Sequence, residues 1–94
     1  MRETKEESKR VAPPSESAID EAESLGREVE SARRRLGLGQ EDVAFAAHVS
    51  PRTVFAIEKG KPTVRFDMLS RVLAAVGLEL TARPRDRVWK PQPR

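Results

Sequence analysis

The chain has no cysteine and a single histidine, His48. A disulfide framework and a cysteine-ligated zinc site are excluded, and so is a histidine cluster for metal binding or acid–base catalysis. Aromatic residues are scarce: three phenylalanines and one tryptophan, 4% of 94 residues. No apolar run approaches the roughly 20 residues that span a bilayer. The first ten residues are charged with no apolar stretch behind them, unlike a secretory signal. A Gly-rich phosphate loop and metal-ligand spacing are missing too. The expectation is a cytoplasmic protein that is not an enzyme and carries neither cofactor nor metal.

What the chain does have is charge. Asp, Glu, Lys and Arg make up 35% of it, against 37% apolar residues, so one small domain with polar tails is all it can build. Residues 1–24 hold four Lys/Arg and seven Asp/Glu, a net of −3, while residues 25–94 hold fourteen and eight, a net of +6. A basic folded part suits a partner that bears phosphates.

Apolar spacing divides the chain into helices. Ile19, Ala22, Leu25, Val29, Ala32 and Leu36 recur at three and four residues, one face of a helix. Ser15 or Ser17 suits its N-cap, with Glu16, Asp20 and Glu21 near its positive end. Gly26 reads as an interruption, so the ordered helix starts either at these serines or only near Leu25, and Gly37 ends it. A second helix runs from Gln40 to about residue 47, with Val43, Ala44 and Ala47 as its apolar face. The third is the most clearly marked: Ser50 at the N-cap, Pro51 at the first helical position, Val54 and Ile57 inward, Gly60 past the end. Phe66, Leu69, Val72, Leu73 and Val76 mark a fourth, ended by Gly77. The period then changes to two in Leu78, Glu79, Leu80, Thr81 and Ala82, which predicts a strand. A lone strand needs a partner, and the same strand of a second copy is the simplest one. The division expected is a flexible acidic arm over 1–20, a helical domain over 21–77, a dimerisation strand over 78–83 and a basic flexible tail over 84–94.

The second and third helices form a pair joined by a tight turn, the geometry that delivers a helix to a DNA major groove. The third helix leads with Ser50, Pro51, Arg52 and Thr53. Arg52 can bridge guanine O6 and N7, and the methyls of Thr53 or Ala56 can touch a thymine methyl. Lys59, Lys61 and Arg65 suit phosphates, as does the amide of Gln40. Each of these side chains has an ordinary alternative as a solvated surface residue. His48 takes the turn position that glycine usually fills, with expected strain of about 1 kcal/mol.

Gly39-Gln40-Glu41-Asp42-Val43-Ala44, Val49-Ser50-Pro51-Arg52-Thr53-Val54 and Ile57-Glu58-Lys59-Gly60-Lys61-Pro62 resemble the Xre/Cro-type helix-turn-helix of phage repressors. The run from Glu58 to Asp67 (Glu-Lys-Gly-Lys-Pro-Thr-Val-Arg-Phe-Asp), with Val72-Leu73-Ala74-Ala75-Val76-Gly77-Leu78-Glu79-Leu80, is similar to HipB-type antitoxins. The resemblance covers about residues 25–83. It implies an all-α fold: a compact four- to five-helix bundle of lambda-repressor-like type, with a short C-terminal β-strand pairing across a homodimer. It implies binding to double-stranded operator DNA at the bacterial nucleoid, autorepression, and neutralisation of a HipA-like kinase toxin. It also implies a structural salt bridge between Arg33 and Glu58. The alternatives are a stand-alone Xre-type regulator without a toxin, or a protein-only inhibitor or adaptor. Trp89, alone in a basic tail, is a possible toxin contact.

Overall fold

Four α-helices carry the described part of the chain, residues 12–86 and 90–93 of a computed structural model. They are α1 (Glu16–Arg35), α2 (Gln40–Ala47), α3 (Pro51–Glu58) and α4 (Phe66–Ala75). Trp89 and residues 1–11 of the acidic arm lie outside the described residues. None of the four helices is long and apolar enough to cross a membrane.

Ser15 starts α1, its Oγ accepting the Ala18 N–H at 3.1 Å. Residues 16–20, expected in the arm, are thus the first turns of a helix. Gly26 does not interrupt that helix. It is buried, and a Cβ there would collide with the Ile57 carbonyl oxygen and come within 2.8 Å of that of Glu58. The missing side chain lets α1 lie directly on the C-terminal end of α3.

The four helices end alike. In each, one N–H past the last helical turn returns to the carbonyl five residues back, and the N–H before it returns three back. Leu38 to Arg33 and Gly37 to Arg34 close α1, at 3.1 and 3.0 Å. Val49 to Ala44 and His48 to Phe45 close α2, at 3.0 and 3.3 Å. This closure needs a left-handed residue, and at α2 it is His48, with φ 58° and ψ 44°.

The core is built from small side chains. Val29, Ala32, Val43, Ala44, Ala47, Val54, Ile57, Val72, Leu73 and Val76 are buried, and the largest fully enclosed ones are all valines. α3 sits centrally, packing against α1, α2 and α4, while α2 also packs on α4. Leu36 and Phe66, placed on apolar faces by their spacing, are instead 55% and 69% exposed. Leu36 falls in the closing turn beyond α1. Phe66 is the first residue of α4, at the edge of the bundle.

Residues 78–82 belong to no regular element in the single chain, and residues 79–86 make no backbone–backbone hydrogen bond among the described residues. A ladder requires a second strand, and none of the described residues offers one. The segment returns to α1, where Arg85 Nη2 donates to Ser17 Oγ at 2.9 Å and to Glu21 Oε2 at 2.5 Å.

Candidate nucleic-acid interface

The α2–turn–α3 unit is fixed from both ends. The Asp42 carboxylate accepts the Gly39 N–H at 2.7 Å at the start of α2. At the start of α3, Ser50 Oγ accepts the Thr53 N–H at 3.2 Å, and Pro51 occupies the first turn, where no N–H partner exists to lose. Successive residues of a helix turn by about 100°, so burying Val54, Ile57 and the Glu58 side chain sets the opposite face. That face carries Arg52, exposed and in no ion pair among the described residues, with Ala56 half-buried beside it and Pro51 and Lys59 exposed. Ser50 is exposed at the leading edge, and Thr53 is partly covered.

Behind this face, three elements meet at one carboxylate. Arg33 Nε donates to Glu58 Oε2 at 2.6 Å, and Arg33 Nη2 to Oε1 at 3.1 Å. Arg33 Nη1 donates to the Leu38 carbonyl at 2.8 Å, and Gln40 Nε2 to Glu58 Oε1 at 2.9 Å. Only 10% of the Arg33 side chain and 4% of the Glu58 side chain are exposed. Burial pushes the Glu58 carboxyl up, but the hydrogen bonds from Arg33 and Gln40 and the charges of Arg33 and Arg34 outweigh it and hold the group below its ordinary value. The same hydrogen bond to Glu58 raises Arg33 against the opposing effect of burial. No buried side-chain polar atom among the described residues lacks a partner. The pair thus ties the ends of α1 and α3 to the start of α2.

The residues singled out by sequence do not all share one surface. Gln40 and Lys59 line a small open cleft of about 450 Å³ with Arg34, Phe55 and Glu58. The Gln40 amide spends a donor on Glu58. Lys61 lies on the other side, bordering a groove between α1 and the C-terminal segment. Arg65 is held in a two-bond pair with Asp67, both contacts at 3.1 Å. Sequence reasoning passed over Arg34 in the cleft, and it put Phe55 on the outer sides of α3 without giving it a role; Phe55 is 49% exposed, with the Lys59 ammonium 5.4 Å from its ring centre. The signal for Phe55 was its phase: it cannot point inward if Val54 and Ile57 do. Among the described residues no group of His, Asp and Glu gathers in a way that would hold a metal.

No curated protein matches the chain. The helix-turn-helix domain family matches residues 24–85, from the middle of α1 to the segment that returns to it. That match takes in the whole α2–turn–α3 unit and two-thirds of the chain, which therefore belongs to the helix-turn-helix domain family, whose general activity is sequence-specific DNA binding in transcription regulation.

Proposed function

We propose that the chain is a dimeric repressor that lays α3 in the major groove with Arg52 against base edges, and that it serves as the antitoxin of a HipBA-like pair. The observation that carries the DNA-reading part is Arg52: an exposed guanidinium, without an ion-pair partner among the described residues, in the first turn of a helix anchored by Ser50, Pro51 and the Arg33–Glu58 clamp. Its fork fits guanine O6 and N7, a match of about 1–3 kcal/mol in base discrimination. Lys59, Lys61 and the first turn of α2 supply phosphate contacts on either side, and the +6 charge of residues 25–94 favours approach to DNA. Arg65 joins them by exchanging Asp67 for a phosphate. The role is one of binding, without catalysis, cofactor or metal.

Dimerisation is supported by the backbone of residues 79–86, unpaired among the described residues, and by the apolar side chains of Phe66 and of Leu80 within that segment, 69% and 49% exposed. Pairing with a second copy satisfies that backbone. The antitoxin role is supported by the resemblance of residues 58–67 and 72–80 to HipB-type proteins.

Selection of duplexes from a random pool, followed by binding of Arg52→Ala, tests the DNA reading. The variant is expected to lose preference for the selected sequence while keeping general affinity. Unchanged selectivity rejects Arg52 as the base reader. Sedimentation equilibrium at micromolar concentration is expected to give a dimer, and a monomer rejects the pairing. A HipA-like kinase encoded beside the gene is expected to lose activity when the chain is added. Full kinase activity rejects the antitoxin role.

A further inference from the structure

The outward face of α3 is chemically narrow. Pro51, Arg52, Phe55, Ala56 and Lys59 occupy it, and the one acidic residue of the helix, Glu58, is turned inward to Arg33 and Gln40. No Asn, Gln, Asp or Glu is left on that face. The side chains that address adenine N6 and N7, or cytosine N4, by hydrogen bonds are therefore missing from it.

Phe55 stands out on this face. It lies three residues beyond Arg52, about 60° round the helix, and four beyond Pro51. Nearly half of it, 49%, is in water, while the buried positions beside it are taken by Val54 and Ile57. The Lys59 ammonium lies over the ring, 5.4 Å from its centre. An apolar ring presented next to a guanine-reading arginine has one chemical complement among major-groove base edges, the C5-methyl group of thymine.

We propose that Phe55, together with Pro51, is a specificity-determining contact that reads the C5-methyl of a thymine beside the guanine bridged by Arg52. The inference rests on the DNA-binding reading above and specifies the half-site. Arg52 supplies the hydrogen-bonded position, Phe55 and Pro51 the methyl position, and Lys59 holds the ring while reaching the adjoining phosphate.

The test uses the full chain and duplexes selected from a random pool. Each thymine of the selected half-site is replaced in turn by deoxyuridine, which removes the methyl and keeps every hydrogen bond. One such replacement beside the guanine is expected to weaken wild-type binding about fourfold, the value of one buried methyl. The same replacement is expected to weaken Phe55→Ala far less, by no more than the share Pro51 contributes, and Phe55→Leu is expected to retain part of the discrimination. A selected half-site with no thymine beside its guanine overturns the inference. So do replacements that all leave wild-type binding unchanged, or that weaken wild type and Phe55→Ala equally, as they would if Phe55 faced a protein partner. A pool that yields no preferred duplex overturns the DNA-binding reading itself. The deoxyuridine series on the wild-type chain stands independently of how either variant folds.

Discussion

With 4% of its side chain exposed, the Glu58 carboxylate depends on Arg33 and Gln40 for the hydrogen bonds that water would otherwise give. Glu58→Ala leaves the Arg33 guanidinium desolvated and without its carboxylate, and is expected to cost about 3–5 kcal/mol in urea unfolding. The double variant Arg33→Met/Glu58→Leu removes both charges and is expected to recover most of that loss; a double variant as unstable as the single one would show that packing, and not charge, is what Glu58 contributes. The pH dependence follows from the direction of the Glu58 shift. Its folded value is the lower one, so its contribution is complete above the unfolded value of about 4.3 and is lost as pH falls through the folded value. The stability gap between wild type and Glu58→Gln should therefore hold steady from neutrality to about pH 5 and narrow below about pH 4; a gap that widens in acid contradicts the assigned direction. His48 belongs to the same scale. At φ 58° it pays the left-handed cost that glycine does not, and its side chain is exposed. His48→Gly is expected to raise stability by about 1 kcal/mol in thermal or urea unfolding.

At the scale of the element, Gly26 tests how α1 is seated. In an exposed helix interior, Gly→Ala is worth about 1 kcal/mol of added stability. Here the new Cβ meets the carbonyls of Ile57 and Glu58, which are backbone atoms and cannot rotate away. Gly26→Ala is expected to destabilise by more than that gain, and to loosen the Arg33–Glu58 clamp by lifting α1 from α3. Protection of the α3 amides from hydrogen exchange should fall with it. How much each element shows in the sequence follows from how local its causes are. Ser50, Pro51 and the Val54–Ile57 spacing bound α3 because a cap, a first-turn proline and a core stripe act within eight residues. Gly26 misleads because its reason is tertiary: only the end of α3 explains it. Arg52 is legible as exposed from helical phase alone, whereas the Gln40 amide is drawn to Glu58 by a meeting of three elements that no local pattern encodes. The alternation in residues 78–82 is plain in the sequence, but the ladder it needs is not formed among the described residues.

Across the whole molecule, charge is divided: −3 in residues 1–24 and +6 beyond. The acidic residues Glu16, Asp20, Glu21 and Glu23 lie in the first turns of α1, where Arg85 docks on Glu21, while Arg52, Lys59 and Lys61 lie on and just after α3. Such a distribution orients the domain toward a polyanion before any base is read. Two kinds of basic residue then separate in a salt titration. Each phosphate neutralised adds about 0.9 to the magnitude of the slope of log affinity against log salt. Lys61→Ala should weaken binding to all duplexes alike and reduce that magnitude by about 1. Arg52→Ala should flatten the preference for the selected duplex over a scrambled one and change the slope little, because a base contact releases no counterion. Should Arg52→Ala instead lower the slope as Lys61→Ala does, with the preference intact, Arg52 is a phosphate contact. Base reading would then have to come from the rest of the α3 face, where only Pro51, Phe55, Ala56 and Thr53 remain to do it.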